Sequence, residues 1–304
     1  MKCIFVLGPT ATGKSQIAIE LAQKTNGQIV NIDSIQFYKG LEIGSAAPSK
    51  DDLKKIPHHL FSYISAPNEM TAGQYIRDFY QLTQKLKPNT NLFIVGGTGF
   101  YIQALEKGMF NLPEVTHEIK QQVLDDLDRH GADKLYEELK NFDTETVVHP
   151  NDHYRLGRAL EIKRAFNKKI SDFQNVVNKD ALPYPYLKIG LGFSTDNKEK
   201  MQHRVKTRTE QMLKDGLIEE TKTILDQGHE KWAPLSSVGY LEAVQYLKNE
   251  ITQEQLEPAI TQSTMQLIKK QRTWFKRDPS ILWSDIFRMD INKIENDVKK
   301  FLET

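Results

Sequence analysis

The sequence predicts an α/β protein: a parallel sheet flanked by helices and interrupted by a mainly helical insertion. Three observations carry that expectation. An apolar run at residues 2–7 ends at Gly8, and an amphipathic stretch opens after Gly13. A second run, residues 28–32, follows at βαβ distance, and that pattern predicts a parallel sheet. Between Leu112 and Tyr184 strand signals vanish and helical periodicity takes over, bounded by Pro113 on one side and by Pro183 and Pro185 on the other.

Each element follows from its own residues. Ile17, Ala18, Leu21 and Ala22 recur at helical spacing, and Gly27 stops that helix. Residues 28–32 read as a strand ending at Asp33, and residues 91–95 as a buried strand followed by Gly96-Gly97-Thr98-Gly99 and a helix-compatible run over 100–105. Residues 186–193 read as the last strand of the sheet. Three helical stretches then cover 198–225, 238–248 and 254–275, with Gly228 and Pro234 as breaks. The expected organisation is a core of residues 1–111 and 185–304, with an insertion over 112–184.

Composition bounds the function. The chain has 304 residues, 39% hydrophobic and 27% charged, which describes a soluble globular protein rather than a disordered one. Apolar runs such as 92–95 and 189–193 fall far short of the roughly 20 residues that span a bilayer, so no membrane role is expected. Residues 1–7 run straight into a glycine motif without a secretory pattern, and Cys3 is the only cysteine. The expected location is the cytoplasm. The net charge is +1, but its distribution is uneven. Arg155, Arg158, Lys163, Arg164, Lys168 and Lys169 face a single acid, Glu161, across residues 155–169, and residues 269–277 hold five basic side chains beside Trp274 and Phe275. Such stripes permit nucleic-acid contact and equally describe the solvated face of an amphipathic helix. Residues 114–145, rich in acids, read as a solvated helical face.

Gly8-Pro9-Thr10-Ala11-Thr12-Gly13-Lys14-Ser15 matches G-x-x-x-x-G-K-[ST] between an expected strand and an expected helix, which makes the fold P-loop NTPase-like. Glycines turn backbone N–H groups onto a phosphate, Lys14 brings a mobile charge, and Ser15 can hold Mg²⁺. The loop therefore grips a diphosphate or triphosphate. The strand over 91–95 ends in glycines instead of the acid that organises Mg²⁺ in phosphoryl-transferring relatives, which weakens ordinary nucleotide hydrolysis. Ligands of doubly wound sheets gather beyond the carboxyl ends of the strands, so residues 10–15, 33–36 and 96–101 should converge. Asp33 is then a candidate acid/base, or else a helix cap or a carboxylate that holds Mg²⁺ through its bound water. Thr98 can donate to a leaving phosphate or cap the following helix.

The ordered motifs resemble the tRNA dimethylallyltransferase (isopentenyltransferase) family: the glycine loop, Asp33-Ser34-Ile35-Gln36-Phe37-Tyr38, Pro57-His58-His59-Leu60 and Gly96-Gly97-Thr98-Gly99-Phe100-Tyr101, then Arg155-Leu156-Gly157-Arg158-Ala159-Leu160-Glu161, Val238-Gly239-Tyr240 and Lys270-Gln271-Arg272-Thr273-Trp274-Phe275. The resemblance implies transfer of a dimethylallyl group from dimethylallyl diphosphate to N6 of the adenosine beside the anticodon, with Mg²⁺ as cofactor. It also implies that the loop holds the prenyl diphosphate and that no protein partner is needed, the enzyme acting as a monomer. Adenine's amine becomes acidic only as the new bond forms, so a carboxylate accepts its proton during attack; Asp33 takes that role. By the same resemblance Thr98 sits near the bridging oxygen, and Arg204 or Arg208, four apart on one helix face, meets the diphosphate, with Arg208 favoured.

On the RNA side, the resemblance assigns contact with the tRNA anticodon stem-loop to Asp33, Ser34, Ile35, Gln36, Thr98, Lys120, Tyr154, Arg155, Leu156, Gly157, Arg158, Val238, Gly239 and Tyr240, and it gives the insertion a tRNA-facing role. Two positions depart from the family pattern: Phe100 stands where an aliphatic residue is usual, and Lys120 where an arginine is common. His58 and His59 read as loop-packing or hydrogen-bonding residues, and Trp232, Trp274 and Trp283 as core or interdomain anchors, with base stacking open to Trp274. Two other functions compete. One is a P-loop kinase of a nucleotide or small hydroxyl substrate, and the other a nucleotide-gated RNA-binding protein without covalent chemistry.

Overall fold

In the computed structural model, which describes residues 1–108, 112, 113, 115–174 and 181–304, six parallel strands form one sheet of order β3-β2-β4-β1-β5-β6. They are β1 (Lys2–Leu7), β2 (Gln28–Asn31), β3 (His58–His59), β4 (Asn91–Gly96), β5 (Tyr186–Gly192) and β6 (Leu282–Asp285). The central strands read as near-continuous apolar runs because helices cover both faces of a parallel sheet. Ile4 and Val6 of β1 pack with Phe93 and Val95 of β4, Ile189 and Leu191 of β5, and Ile17, Ala18 and Leu21 of the helix Lys14–Lys24. Ile294 and Val298 of the helix Ile291–Glu303 complete that cluster.

Several sequence expectations are corrected. The strand over 186–193 is not the last: β6 pairs with β5 from Ile189–Leu282 to Gly192–Asp285. His58 and His59, read as loop residues, form the opposite edge strand against Ile29 and Val30. The stretch 198–225 is two helices, Lys198–Lys214 and Leu217–Asp226, because Gly216 adopts φ 104° and turns the chain between them. Lys188, inside the apolar run of β5, is 2% exposed and pairs with both Glu106 and Asp278 at 2.7 Å. Two carboxylates around one ammonium supply the partners that a buried charge requires.

The described residues divide into two compact units, Met1–Glu106 with Leu182–Thr304, and Lys107–Ala181. Residues 109–111, at the sequence-expected end of the core segment, and Glu114 and 175–180, within the expected insertion, lie outside the described residues. The second unit is helical, its core made by Val123 of His117–His130, Leu135 and Leu139 of Ala132–Phe142, and Leu156 and Leu160 of His153–Phe166. Its charges pair internally. Arg164 meets Asp126 at 2.7 Å and Glu138 at 3.1 Å, Lys163 meets Glu138 at 3.0 Å, and Lys169 meets Asp143 at 3.2 Å. The acidic and basic stretches that the sequence presents as separate solvated faces therefore partly neutralise each other.

Candidate functional site

The glycine loop leaves the carboxyl end of β1 with Gly8 at φ 141°, Ala11 at 61° and Gly13 at 86°. Gly8 is required twice over, since a Cβ there would stand 2.1 Å from Leu191 O of β5. Thr12 Oγ1 donates to Pro9 O at 2.8 Å and closes the loop from within, and the helix Lys14–Lys24 begins at its end. Lys14 Nζ donates to Pro9 O at 2.7 Å, and Ser15 lies exposed in the first helical turn.

Two arginines of the helix Lys198–Lys214 reach the same loop. Arg208 Nη1 donates to Thr10 Oγ1 at 3.0 Å, and Arg204 Nε donates to Ala11 O at 2.7 Å. Burial lowers the Lys14 ammonium to a pKa of about 8; the Asp33 charge opposes that shift and Arg208 adds to it. Burial also lowers the Arg208 guanidinium, against the pull of Asp33. Asp33 thus acts electrostatically on both Lys14 and Arg208, and three cations converge on a loop built to hold an anion.

Asp33 follows β2 and is fixed by its neighbours. Its N–H donates to Asn31 Oδ1 at 2.8 Å, and its own Oδ1 accepts the Ile35 N–H at 3.1 Å. This is an Asx turn rather than a helix cap. Asn31, fully buried, also donates to Leu60 O at 3.0 Å. Ser34 N–H donates to Thr98 Oγ1 at 3.0 Å, so the Thr98 hydroxyl joins two loops at the start of the helix Gly99–Lys107. No acid stands at the end of β4 because none fits: a Cβ on Gly96 would lie 2.6 Å from the Ile32 carbonyl carbon.

Gln271 ties the loops together. Its Oε1 accepts the Thr10 N–H at 2.9 Å and its Nε2 donates to Gly97 O at 3.0 Å. The sequence shows Gln271 inside a motif without marking this role, and it does not single out Asn31 at all. Gln271 works through partners far away in the chain, and Asn31 joins the neighbouring Asp33 turn to the distant Leu60. Arg272 stacks over Phe193, with the guanidinium carbon 4.5 Å from the ring centroid.

Beside Arg204 and Arg208 a cleft of about 1430 Å³ opens between the helix Lys198–Lys214 and the segment 42–53, with Leu53, Met212 and Phe287 among its apolar lining. Phe100, the unusual aromatic, is 49% exposed on the helix Gly99–Lys107. His58 and His59 make hydrogen-bonding contacts, His58 Nδ1 with Ile56 O at 3.0 Å and His59 Nε2 with Gln28 Oε1 at 2.7 Å, and burial lowers both pKa values. Trp232 is buried with its Nε1 donating to Asn68 O at 3.0 Å, and Trp274 packs on Gly99, where a Cβ would lie 2.0 Å from its Nε1.

The residues assigned to RNA by resemblance are not equally available. Gln36, Ser34 and Ile35 share the Asp33 turn and are partly exposed. Tyr240 is fully buried and donates to Glu220 Oε1 at 2.6 Å, so its side chain offers no surface to a ligand; just before its helix Val238 is partly exposed and Gly239 is buried, its N–H donating to Glu242 Oε2 at 2.7 Å. Within the helical unit Tyr154 is 76% exposed, and Arg155 and Lys120 are exposed. Leu156 belongs to that unit's core, and Gly157 is buried near Val123 and Leu127. These two positions shape the helix rather than present a side chain. Arg158 is held by Glu161 at 2.6 Å and by Pro113 O at 3.3 Å.

The IPP transferase family model matches residues 36–278. A tRNA dimethylallyltransferase of Bdellovibrio bacteriovorus is 45% identical, over 99% of this chain and 98% of its own length. Among solved structures, the tRNA isopentenylpyrophosphate transferase of Bacillus halodurans matches with a TM-score of 0.71 at 27% identity, over 99% of this chain and 97% of that one. A eukaryotic dimethylallyltransferase acting on tRNA matches with a TM-score of 0.78 at 25% identity, over 98% of this chain and 77% of that one.

Proposed function

The chain belongs to the IPP transferase family, and from that membership we propose that it transfers a dimethylallyl group from dimethylallyl diphosphate to N6 of the adenosine 3′-adjacent to the anticodon of tRNA. The observation that carries the reading is the convergence of Lys14, Arg208 and Asp33 on the glycine loop, an anion cradle with one carboxylate beside it.

In this reading the loop N–H groups, Lys14, Arg204 and Arg208 bind the diphosphate, and the cleft beside the arginines admits it. The allylic C1–O bond breaks with its electron pair going to the departing pyrophosphate, whose growing charge these donors stabilise. The adenine N6 lone pair forms the N6–C1 bond, and Asp33 takes the N6 proton as that bond forms. Thr98 donates near the bridging oxygen. Mg²⁺ would be held by Ser15 Oγ together with diphosphate oxygens, and would supply charge neutralisation there. Such a site needs no all-protein cage, and among the described residues no cluster of three or more His, Cys, Asp or Glu could form one.

A base in a folded anticodon loop must be unstacked to reach Asp33. Ser34, Ile35, Gln36 and Thr98 would meet it, while Tyr154, Arg155, Arg158, Lys120, Val238 and Gly239 would contact the surrounding RNA. No protein partner enters the scheme, and the enzyme would act as a monomer.

The test is incubation with Mg²⁺, dimethylallyl diphosphate and unmodified tRNA, followed by digestion and mass analysis of the nucleosides. Prenylated adenosine formed without any nucleoside triphosphate is expected. A product that appears only with ATP, or that carries phosphate, would overturn the reading in favour of a kinase.

A further inference from the structure

Gln36 is held in one orientation. Its Nε2 donates to Ser45 O at 3.0 Å and to Ala46 O at 2.9 Å, which uses both N–H groups. Both partners are carbonyl oxygens, so the flipped amide would set oxygen against oxygen, and the assignment is fixed by chemistry. What Gln36 has left to offer a ligand is Oε1, an acceptor.

The carbonyls that fix Gln36 are themselves fixed from behind. Glu220 Oε2 accepts the Ile43 N–H at 2.8 Å, and its Oε1 accepts the Gly44 N–H at 3.0 Å and the Tyr240 hydroxyl at 2.6 Å. The same hydroxyl oxygen accepts the Ser45 N–H at 3.2 Å. The Tyr240 ring lies so close to Gly44 that a Cβ there would come 2.4 Å from Cζ. One carboxylate and one hydroxyl thus anchor three successive N–H groups of the segment whose carbonyls orient Gln36.

We propose that Glu220 and Tyr240 are positioning residues that lock Gln36 as a pure hydrogen-bond acceptor, so that the site selects a nucleobase presenting an exocyclic N–H donor at its 6-position and rejects one presenting a carbonyl there. The inference rests on the proposed function to the extent that the ligand of the Asp33 turn is an extruded purine. Adenine's amine has two N–H groups, one for Asp33 and one for Gln36 Oε1. A 6-carbonyl would meet the Gln36 acceptor with an acceptor, and unpaired polar atoms in a closed site are strongly discriminating.

The experiment is competition binding of anticodon stem-loop RNAs carrying adenosine, inosine or unsubstituted purine riboside at the target position, with Mg²⁺ and inorganic pyrophosphate present. The wild-type protein is expected to prefer adenosine over inosine by about tenfold or more. Gln36→Leu sets the ratio without the acceptor. Tyr240→Phe and Glu220→Gln are expected to compress the preference to within about threefold of unity while pyrophosphate affinity stays unchanged. Tyr240→Phe removes a single hydroxyl, so the test stands even where Glu220→Gln does not fold. An undiminished preference in Tyr240→Phe overturns the proposal, as does a parallel loss of pyrophosphate affinity, which would make the clasp a general scaffold. Absence of prenyl transfer by the wild-type protein with the adenosine preference intact would remove the proposed function and leave this inference standing.

Discussion

Thr98 and Ser34 are joined twice: the Ser34 N–H donates to Thr98 Oγ1 at 3.0 Å, and the Thr98 hydroxyl lies 3.3 Å from Ser34 Oγ as a donor. The pair couples the turn that carries Asp33 to the turn that follows β4. Removing the hydroxyl would loosen that coupling and, in the proposed reaction, take away the donor assigned to the leaving group. Thr98→Val is expected to slow single-turnover prenyl transfer by roughly tenfold to a hundredfold. Thr98→Ser, which keeps the hydroxyl, should stay within about threefold of the wild-type rate.

Arg208 and Arg204 both hold the glycine loop, but through different atoms. Arg208 is the more buried and bonds a side-chain hydroxyl, while Arg204 bonds a backbone carbonyl from an exposed position. The Arg208 charge also acts on the Lys14 ammonium. Arg208→Gln is therefore expected to lower kcat/KM for the allylic diphosphate by about a hundredfold or more, and Arg204→Gln by about tenfold. Steady-state kinetics with varied diphosphate separates the two, and an inverted order would transfer the larger role to Arg204.

Lys14 links binding to pH. Its pKa in the free protein is about 8 because burial disfavours the charge. A bound diphosphate favours the charged form and raises that pKa, so binding takes up a proton above pH 8. Pyrophosphate affinity should be level below pH 8 and fall toward tenfold per pH unit above it. Lys14→Met should bind more weakly with a flat profile across that window, as calorimetry from pH 7 to 9 would read. Folding carries its own sign. Since the folded pKa lies below the ordinary 10.5, Lys14 lowers stability below pH 8, and the penalty is relieved as pH rises from 8 toward 10.5.

How far the sequence revealed this molecule depends on how local each feature is. The first βαβ unit is legible because strand, loop and helix lie within residues 2–32 and the glycine spacing encodes its own geometry. The edge strands β3 and β6 are not, being two and four residues long and defined only by partners far away in the chain. The Gly216 break escapes a periodicity reading because apolar residues continue on both sides of it. At the site, the cations and Asp33 are visible as residue types. Glu220 and Gln271 work through distant partners, and Asn31 through both the adjacent Asp33 turn and the distant Leu60, roles that residue type alone does not mark. Resemblance also cannot tell which way a side chain points, and so it places the buried Leu156 and Tyr240 among RNA contacts.

Gly8 is the point where the loop passes closest to β5. A methyl group there would collide with Leu191 O in a backbone conformation that already excludes most side chains. Gly8→Ala is expected to destabilise the sheet unit by about 3 kcal/mol, measured as a lower urea midpoint at unchanged m. Wild-type stability would show that β1 and β5 separate freely at that point.

In the proposed reaction one acid beside a phosphate cradle, Asp33, relieves the attacking amine of its proton. Asp33→Asn keeps the shape and the Ile35 N–H contact while removing the base. The direct measurement is the single-turnover rate of this variant with tRNA and dimethylallyl diphosphate both saturating, alongside its RNA affinity. A rate lower by roughly a hundredfold or more with RNA binding retained is expected; a rate equal to that of the wild-type protein would remove Asp33 from the proton transfer.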